Sequence, residues 1–327
     1  MYSKTIKAGI VGGAGYTGGE MIRLLLQHPN VQIKFIHSRS NAGQYIYHVH
    51  TDMLGETNMT FTDKIIEDVD VIFLCVGHGE AKDFLKLNKI EDTVVIIDLS
   101  QDFRLSPLLS ESTRDFVYGL PECYKEEIHQ TKSIANPGCF ATAIQLALLP
   151  LATKQLLADV HVTGITGATG AGQKLQANSH FAWRANNIQA YKSLSHQHVH
   201  EIVQTLSGKQ SGFSRLHFVP WRGDFARGIY ITAYTDCDLS IEDANNLYKA
   251  YYAGQPFTVV SERIIDLKQV VNTNKCLLHL EKADGKLIIH AAIDNLLKGA
   301  SGQAVQNMNI IFGLSETTGL HLKSIAF

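Results

Sequence analysis

A short apolar strand, Ala8-Gly9-Ile10-Val11, runs straight into Gly12-Gly13-Ala14-Gly15-Tyr16-Thr17-Gly18, and helical spacing begins at the last of those glycines. Gly18, Met21, Ile22 and Leu25 follow i, i+3, i+4, i+7, and His28-Pro29-Asn30 ends the pattern with a proline that cannot continue a helix. A strand, a G-x-x-G-x-x-G turn and a helix, in that order, are what a nucleotide pyrophosphate requires. The glycines let the backbone approach, and the helix N-terminus faces the anion. Gly12, Gly15, Tyr16, Thr17 and Gly18 are therefore candidate cofactor contacts, and the first part of the chain is committed to an α/β Rossmann fold.

The next strand, residues 31–37, ends about 20 residues beyond the turn, where an NAD-binding fold carries an acid for the ribose hydroxyl. This chain has Ser38-Arg39-Ser40 there. A hydroxyl and a guanidinium suit a 2′-phosphate, which an acid would repel, so NADP(H) is the expected cofactor. Residues 70–76 and 93–99 are continuous apolar runs of the kind found in parallel strands covered on both faces. The second ends in Asp98-Leu99-Ser100-Gln101-Asp102-Phe103-Arg104, at a strand's carboxyl end where ligands bind in open α/β sheets. Arg104 could hold an anionic substrate group or simply pair with a nearby acid.

At 327 residues the chain has room for about two domains, and its texture changes near residue 138. Beyond the helix that follows, strands and loops alternate. Residues 216–236, 256–263 and 275–293 read as strands, with Ala283-Asp284-Gly285 as a hairpin turn. This gives an α+β domain with a mostly antiparallel sheet. Ser240-Ile241-Glu242-Asp243 starts a helix, and Gly164-Ile165-Thr166-Gly167-Ala168-Thr169-Gly170-Ala171-Gly172 is too glycine-dense for regular structure. Residues 299–313 form a final helix of small and apolar residues, expected to pack back on the first domain. A net charge of −2 gives no electrostatic case for nucleic acid or acidic membranes. No apolar stretch is long enough to span a bilayer and no leader precedes the first strand, so a cytoplasmic location is expected.

The five cysteines are odd in number, widely separated and free of CxxC pairs, which suggests neither a disulfide framework nor a zinc site. Cys139 stands apart. It follows Asn136-Pro137-Gly138 and precedes a long apolar helix, and a helix start favours thiolate over thiol and offers donors to a developing oxyanion. A buried structural cysteine is the competing reading. A nucleophilic thiol needs a base, and Ser195-His196-Gln197-His198-Val199-His200-Glu201 is the densest source. Were this a strand, the three histidines would share a face and could bind metal; a helix start at Glu201 argues against that, and no metal is expected. A nicotinamide cofactor, a thiol and a histidine together imply an acyl group carried as a thioester and interconverted with an aldehyde by hydride transfer.

Seven ordered motifs carry a resemblance over nearly the whole chain. They are residues 9–20, Ser38-Arg39-Ser40, residues 98–104, Tyr118-Gly119-Leu120-Pro121-Glu122, Asn136-Pro137-Gly138-Cys139, His196-Gln197-His198, and residues 293–299 with 302–309. In these the chain resembles the N-acetyl-gamma-glutamyl-phosphate reductase family, NADPH-dependent acyl-phosphate reductases of arginine biosynthesis. The resemblance implies that Cys139 attacks the acyl phosphate, inorganic phosphate leaves, and the thioester is reduced to the semialdehyde. It makes His196 the acid/base partner, with His198 as second choice, and Glu201 the residue that orients a histidine. Asn295 becomes a nicotinamide contact, and Arg104, Asn136 and Arg222 become substrate contacts. It also implies a homotetramer, an NADP-binding domain of residues 1–138 with 299–327, and a catalytic and dimerisation domain of residues 139–298.

Two departures bear on specificity. Ala141 stands where the family usually has proline, which a helix start tolerates. Residues 218–228 depart from the usual His-Leu-Val-Pro-Met-Thr-Arg-Gly ending. The acyl group could therefore differ from acetyl, with N-succinylglutamyl or N-acetylaminoadipyl phosphate as alternatives. An aspartate-semialdehyde-type dehydrogenase and an NADP-binding sensor without turnover also stay open.

Overall fold

The computed structural model describes residues 5–105 and 114–325. Its chain divides into two compact units, one running to Pro137 and including Ala300–His321, the other comprising Gly138–Gly299 and the tail from Leu322.

The first unit contains β1 (Ile6–Val11), α1 (Tyr16–Leu26), β2 (Val31–His37), β3 (Val71–Leu74), α2 (Glu80–Leu87), β4 (Val95–Asp98), β5 (Val117–Tyr118), α3 (Pro121–Gln130) and β6 (Ser133–Ala135). Its six strands form one parallel sheet in the order β2-β1-β3-β4-β6-β5. The order reverses at β1, so a crevice opens at the carboxyl ends of β1 and β3, where doubly wound sheets take their ligands. β3 and β4 are buried along their whole length, as their unbroken apolar runs require.

The second unit contains α4 (Cys139–Thr153), β7 (Val160–Thr166), α5 (Phe181–Arg184), β8 (Gln189–Ala190), α6 (His198–Lys209), β9 (Leu216–Arg222), β10 (Ile229–Asp236), α7 (Ile241–Tyr251), β11 (Thr258–Ser261), β12 (Cys276–Ala283) and β13 (Lys286–Ile293). The last helix of the chain, α8 (Gly302–Ile311), belongs to the first unit. There Ser301 Oγ donates to Thr17 O at 2.9 Å and His28 Nε2 lies 3.0 Å from Asn309 Oδ1, so α8 closes on α1.

The seven strands of the second unit lie in the order β11-β12-β13-β10-β7-β9-β8. β11–β12 and β7–β9 pair parallel and the other neighbours antiparallel. Burial alternates along β7, β10 and β12, one face lying against α4, α6 and α7. Ser240 caps α7 by accepting from Asp243 N at 3.0 Å, and the β12–β13 hairpin turns through Asp284 and Gly285 at φ 47° and 75°.

One detail differs from the sequence reading. The glycine-dense stretch is regular after all: Gly164 lies inside β7, because any side chain there would meet the Phe140 ring at 2.6 Å, and Ala168–Ala171 is a 3-10 turn. The apolar helix α4 also contains Pro150, which has no N–H for Leu146 O. The Tyr252 hydroxyl donates to that carbonyl instead, and the Tyr248 hydroxyl donates to Ala147 O at 2.6 Å.

Candidate active site

Cys139 is the first residue of α4, and Gly138 before it brings no side-chain cap. The Glu201 carboxylate does that work: its Oε2 accepts from Gly138 N at 3.1 Å, placing negative charge at the positive end of the helix. A methyl group on Gly138 would stand 2.4 Å from His198 Nε2 and 2.7 Å from Glu201 Oε1. Only glycine lets these side chains close on the turn. Gly299 serves Cys139 in the same way, since a Cβ there would lie 2.7 Å from that of Cys139.

The two histidines are held differently. His198 Nε2 faces Glu201 Oε1 at 3.8 Å, so the glutamate addresses His198 and not His196. His196 Nδ1 accepts from His198 N at 3.2 Å, which leaves the proton of a neutral His196 ring on Nε2. Rings of Phe140, Tyr191 and Phe218 stand edge-on to His196 at 5.9, 5.7 and 5.5 Å. Burial, with the positive charges of Lys192 and Arg222 nearby, pushes its pKa down to about 4. His196 is thus a neutral donor near neutral pH. His200 is exposed on α6, so the three histidines do not share one face.

Two residues that the sequence did not mark complete this centre. Tyr191 is pushed up to about 12 by burial and by the neighbouring Cys139, so it keeps its proton, and the Arg222 guanidinium lies 4.7 Å from its ring centroid. Arg184 is buried and donates from Nη1 to the carbonyls of Arg222 and Gly223 at 3.0 and 3.4 Å. Neither lies in a periodic or glycine-marked stretch: the β8–β9 pairing brings Tyr191 beside Arg222, and Arg184, at the end of α5, reaches it through its own bonds to the end of β9.

Asn295 fastens two loops: its Oδ1 accepts from Gly228 N at 2.7 Å and its Nδ2 donates to Thr169 Oγ1 at 3.0 Å. Buried Asp294 beside it pairs with Arg227 Nε at 3.1 Å and accepts from Asn272, Leu296 and Leu297 N–H groups.

In the first unit the glycine turn has the shape a dinucleotide needs. Gly12 adopts φ 81° with its missing side chain against Cys75 O, and a Cβ on Gly18 would lie 2.4 Å from Gly12 O. Gly15 is the N-cap of α1 and offers no side chain, so the amides of Tyr16, Thr17 and Gly18 are left for an anion. At the end of β2, Ser38 is buried and accepts from Asn41 Nδ2 at 3.1 Å. Arg39 is exposed, and among the described residues it makes no ion pair. Arg104 is buried and ties down backbone, donating from Nε to Asn136 O at 2.8 Å and from Nη2 to Leu99 O at 2.9 Å. Asn136 donates to Ala300 O and accepts from Asn307 Nδ2, both at 3.1 Å.

A parallel nucleotide-binding sheet joined to an α+β unit that opens on a helix-start cysteine defines a semialdehyde-dehydrogenase type of protein. Residues 7–131 match the semialdehyde dehydrogenase NAD-binding domain, and residues 139–295 match the semialdehyde dehydrogenase dimerisation domain. Solved structures share the fold: aspartate semialdehyde dehydrogenase II of Vibrio cholerae is 17% identical at a TM-score of 0.72, covering 94% of this chain and 98% of that one. The Candida albicans aspartate semialdehyde dehydrogenase with NADP is 14% identical at 0.67, with the same coverage. Two N-acetyl-gamma-glutamyl-phosphate reductases are each 54% identical over 98% of this chain. One, from Azobacteroides pseudotrichonymphae, is matched over 100% of its length, and the other, from Christiangramia forsetii, over 99%. The chain belongs to the N-acetyl-gamma-glutamyl-phosphate reductase family.

Proposed function

We propose that the chain reduces N-acetyl-gamma-glutamyl phosphate to N-acetylglutamate 5-semialdehyde with release of phosphate, a step of arginine biosynthesis. The observation that carries the reading is the Cys139 turn. It sets a thiol on the first turn of α4, with the buried neutral ring of His196 and the Glu201–Gly138 hydrogen bond in the same centre. In this reading the Cys139 sulfur attacks the acyl carbon, the carbon–oxygen bond to phosphate breaks, and the leaving phosphate keeps the electron pair. The first amides of α4 and the Nε2 proton of His196 are the donors available to the oxygen that gains charge. Bound NADPH supplies the hydride that reduces the thioester. Collapse of the reduced adduct then returns the thiolate, which the helix start favours. Glu201 fixes the turn, and His198 is its neighbour rather than the proton carrier.

NADPH is favoured over NADH because Arg39 and Ser38 stand at the end of β2 where no acid does. Gly12, Gly15, Tyr16, Thr17 and Gly18 would cradle the pyrophosphate, and Asn295 would steady the loop that meets the nicotinamide. Arg104 and Asn136 would shape the turn ahead of the thiol, with Arg222 meeting the substrate. Residues 1–138 with 299–327 serve as the NADP domain and residues 139–298 as the catalytic and dimerisation domain, in a homotetramer placed in the cytoplasm. Among the described residues no helix is long and apolar enough to cross a membrane.

The test is NADP reduction by the purified chain with N-acetylglutamate semialdehyde, with and without phosphate. Turnover that needs phosphate is expected; firm NADPH binding without turnover would make the chain a sensor and sink the proposal.

A further inference from the structure

The glycine turn of the first unit is held by a histidine that stands far from it in the chain. His50 lies between the 3-10 turns Ile46–His48 and Thr51–Met53, buried, with its Nε2 2.8 Å from Gly13 O. A carbonyl can only accept, so the ring carries its proton on Nε2, and burial, which pushes the pKa of this ring down, keeps it neutral near pH 7. The contact accounts for a glycine that the pyrophosphate motif does not require. A Cβ on Gly19, the residue after the last motif glycine, would stand 2.6 Å from the His50 ring. Two further ties fix the same segment: His50 N donates to Ile46 O at 2.9 Å, and Asp52 takes Arg23 of α1 with both oxygens, at 2.5 and 2.7 Å.

What the bond controls lies on the other side of the peptide. The Gly13–Ala14 peptide is trans, so its C=O and N–H point in opposite directions, and holding the carbonyl on His50 turns the Ala14 N–H away from that ring. The amides of Gly12 and Gly13 both donate to His37 O at 3.1 Å, and that of Gly15 donates to Gly12 O at 3.3 Å. Among the described residues the Ala14 N–H donates to nothing, which makes it the spare amide of the turn. Spare amides on glycine turns are what phosphate oxygens bind.

We propose that His50 is a positioning residue of the cofactor site: by holding the Gly13 carbonyl it aims the Ala14 N–H at the pyrophosphate of the dinucleotide. The inference rests on the dinucleotide reading of the turn. It adds Ala14 to the amides of Tyr16, Thr17 and Gly18, together with a side chain outside the motif that sets its direction.

The test is binding, followed by fluorescence and calorimetry with NADPH, NADH and 2′-AMP, the last of which keeps the ribose 2′-phosphate and lacks the pyrophosphate. His50→Leu, which fills the space of the ring without its donor, should weaken NADPH and NADH alike by about tenfold, the scale of one hydrogen bond to a charged group. Binding of 2′-AMP should stay within about twofold. His50→Gln, whose amide can donate to the same carbonyl, should recover most of the affinity. Asp52→Ala releases the segment from Arg23 without touching Gly13, and it should leave NADPH binding within about twofold. A 2′-AMP affinity that falls along with that of NADPH, or an equal loss in Asp52→Ala, makes the effect a general loosening and overturns the proposal. So does NADPH binding that His50→Leu leaves unchanged. Should His50→Leu fail to fold, Gly19→Ala, which drives a methyl into the ring, decides with the same three probes. Wild-type protein that holds NADPH no tighter than 2′-AMP fails the cofactor reading at its root and takes the proposal with it. A wild-type preference that the variants do not touch fails His50 alone.

Discussion

Two glycine turns feed two helices in this molecule, and they use the same physics for different ends. Gly12–Gly18 leads into α1, whose cap residue Gly15 offers no side chain, and no acid lies in the helix's first turn. Gly138 leads into α4, also uncapped by its own side chain, but there the protein supplies the anion itself through Glu201. At α1 the missing side chains make room for backbone: Gly18 packs on Gly12 O and Gly12 on Cys75 O. At α4 they make room for a histidine and a carboxylate. The helix start of α1 is thus left to an outside anion, whereas at α4 an internal carboxylate takes the N–H of the cap residue and leaves the amides of the first turn to the chemistry at the thiol.

Substitutions at the two turns should separate these roles. The largest effect is expected from Cys139→Ser: turnover falls by on the order of 10⁴-fold or more, while fluorescence titration finds NADPH binding nearly unchanged. A variant that kept a tenth of the activity would end the distinction. Next, Gly138→Ala drives a methyl into His198 and Glu201, and kcat should fall about 10²-fold with little change in cofactor affinity. Its counterpart Gly18→Ala should show the reverse pattern, weakened NADPH binding with a smaller loss of kcat once the cofactor saturates. Smaller again is Arg39→Ala, expected to cost about tenfold in NADPH affinity and nothing in NADH affinity.

The smallest expected effect is thermal. The folded-state pKa of His196 is depressed to about 4, so as pH falls from the ordinary histidine range toward 4 the unfolded chain gains a proton that the folded chain refuses. Folding stability therefore drops with acid over that window, and the contribution is fully present only above it. His196→Gln should narrow the difference in melting temperature between pH 7 and pH 4.5 by about 2–4 °C, measured by calorimetry.

How far these features can be read from the sequence depends on whether they are local. The α1 turn is legible because strand, glycines and helical spacing are contiguous, and the α4 thiol is legible because Pro-Gly-Cys abuts an apolar run. The β12–β13 hairpin and the Ser240 cap are legible for the same reason. The companions of the thiol are not. Tyr191 reaches the centre through the pairing of β8 with β9, and Arg184 reaches the end of β9 from α5; no residue spacing announces a short edge strand or a one-turn helix. The glutamate was expected to orient a histidine; besides facing His198 it accepts from Gly138 N, a backbone group without any sequence signature. Gly164 misleads for a related reason: its meaning lies in the Phe140 ring across from it, far away in the chain.

The proline inside α4 carries one more consequence. Because the phenols of Tyr248 and Tyr252 take the carbonyls of Ala147 and Leu146, α4 is keyed at one depth by groups from α7 and the residue after it. Sliding the helix along its axis would break both bonds at once. Aim at the thiol end is therefore governed by two hydroxyls that grip the rod near its middle, at Leu146 and Ala147. Wear at that midpoint would spoil alignment well before it loosened the fold.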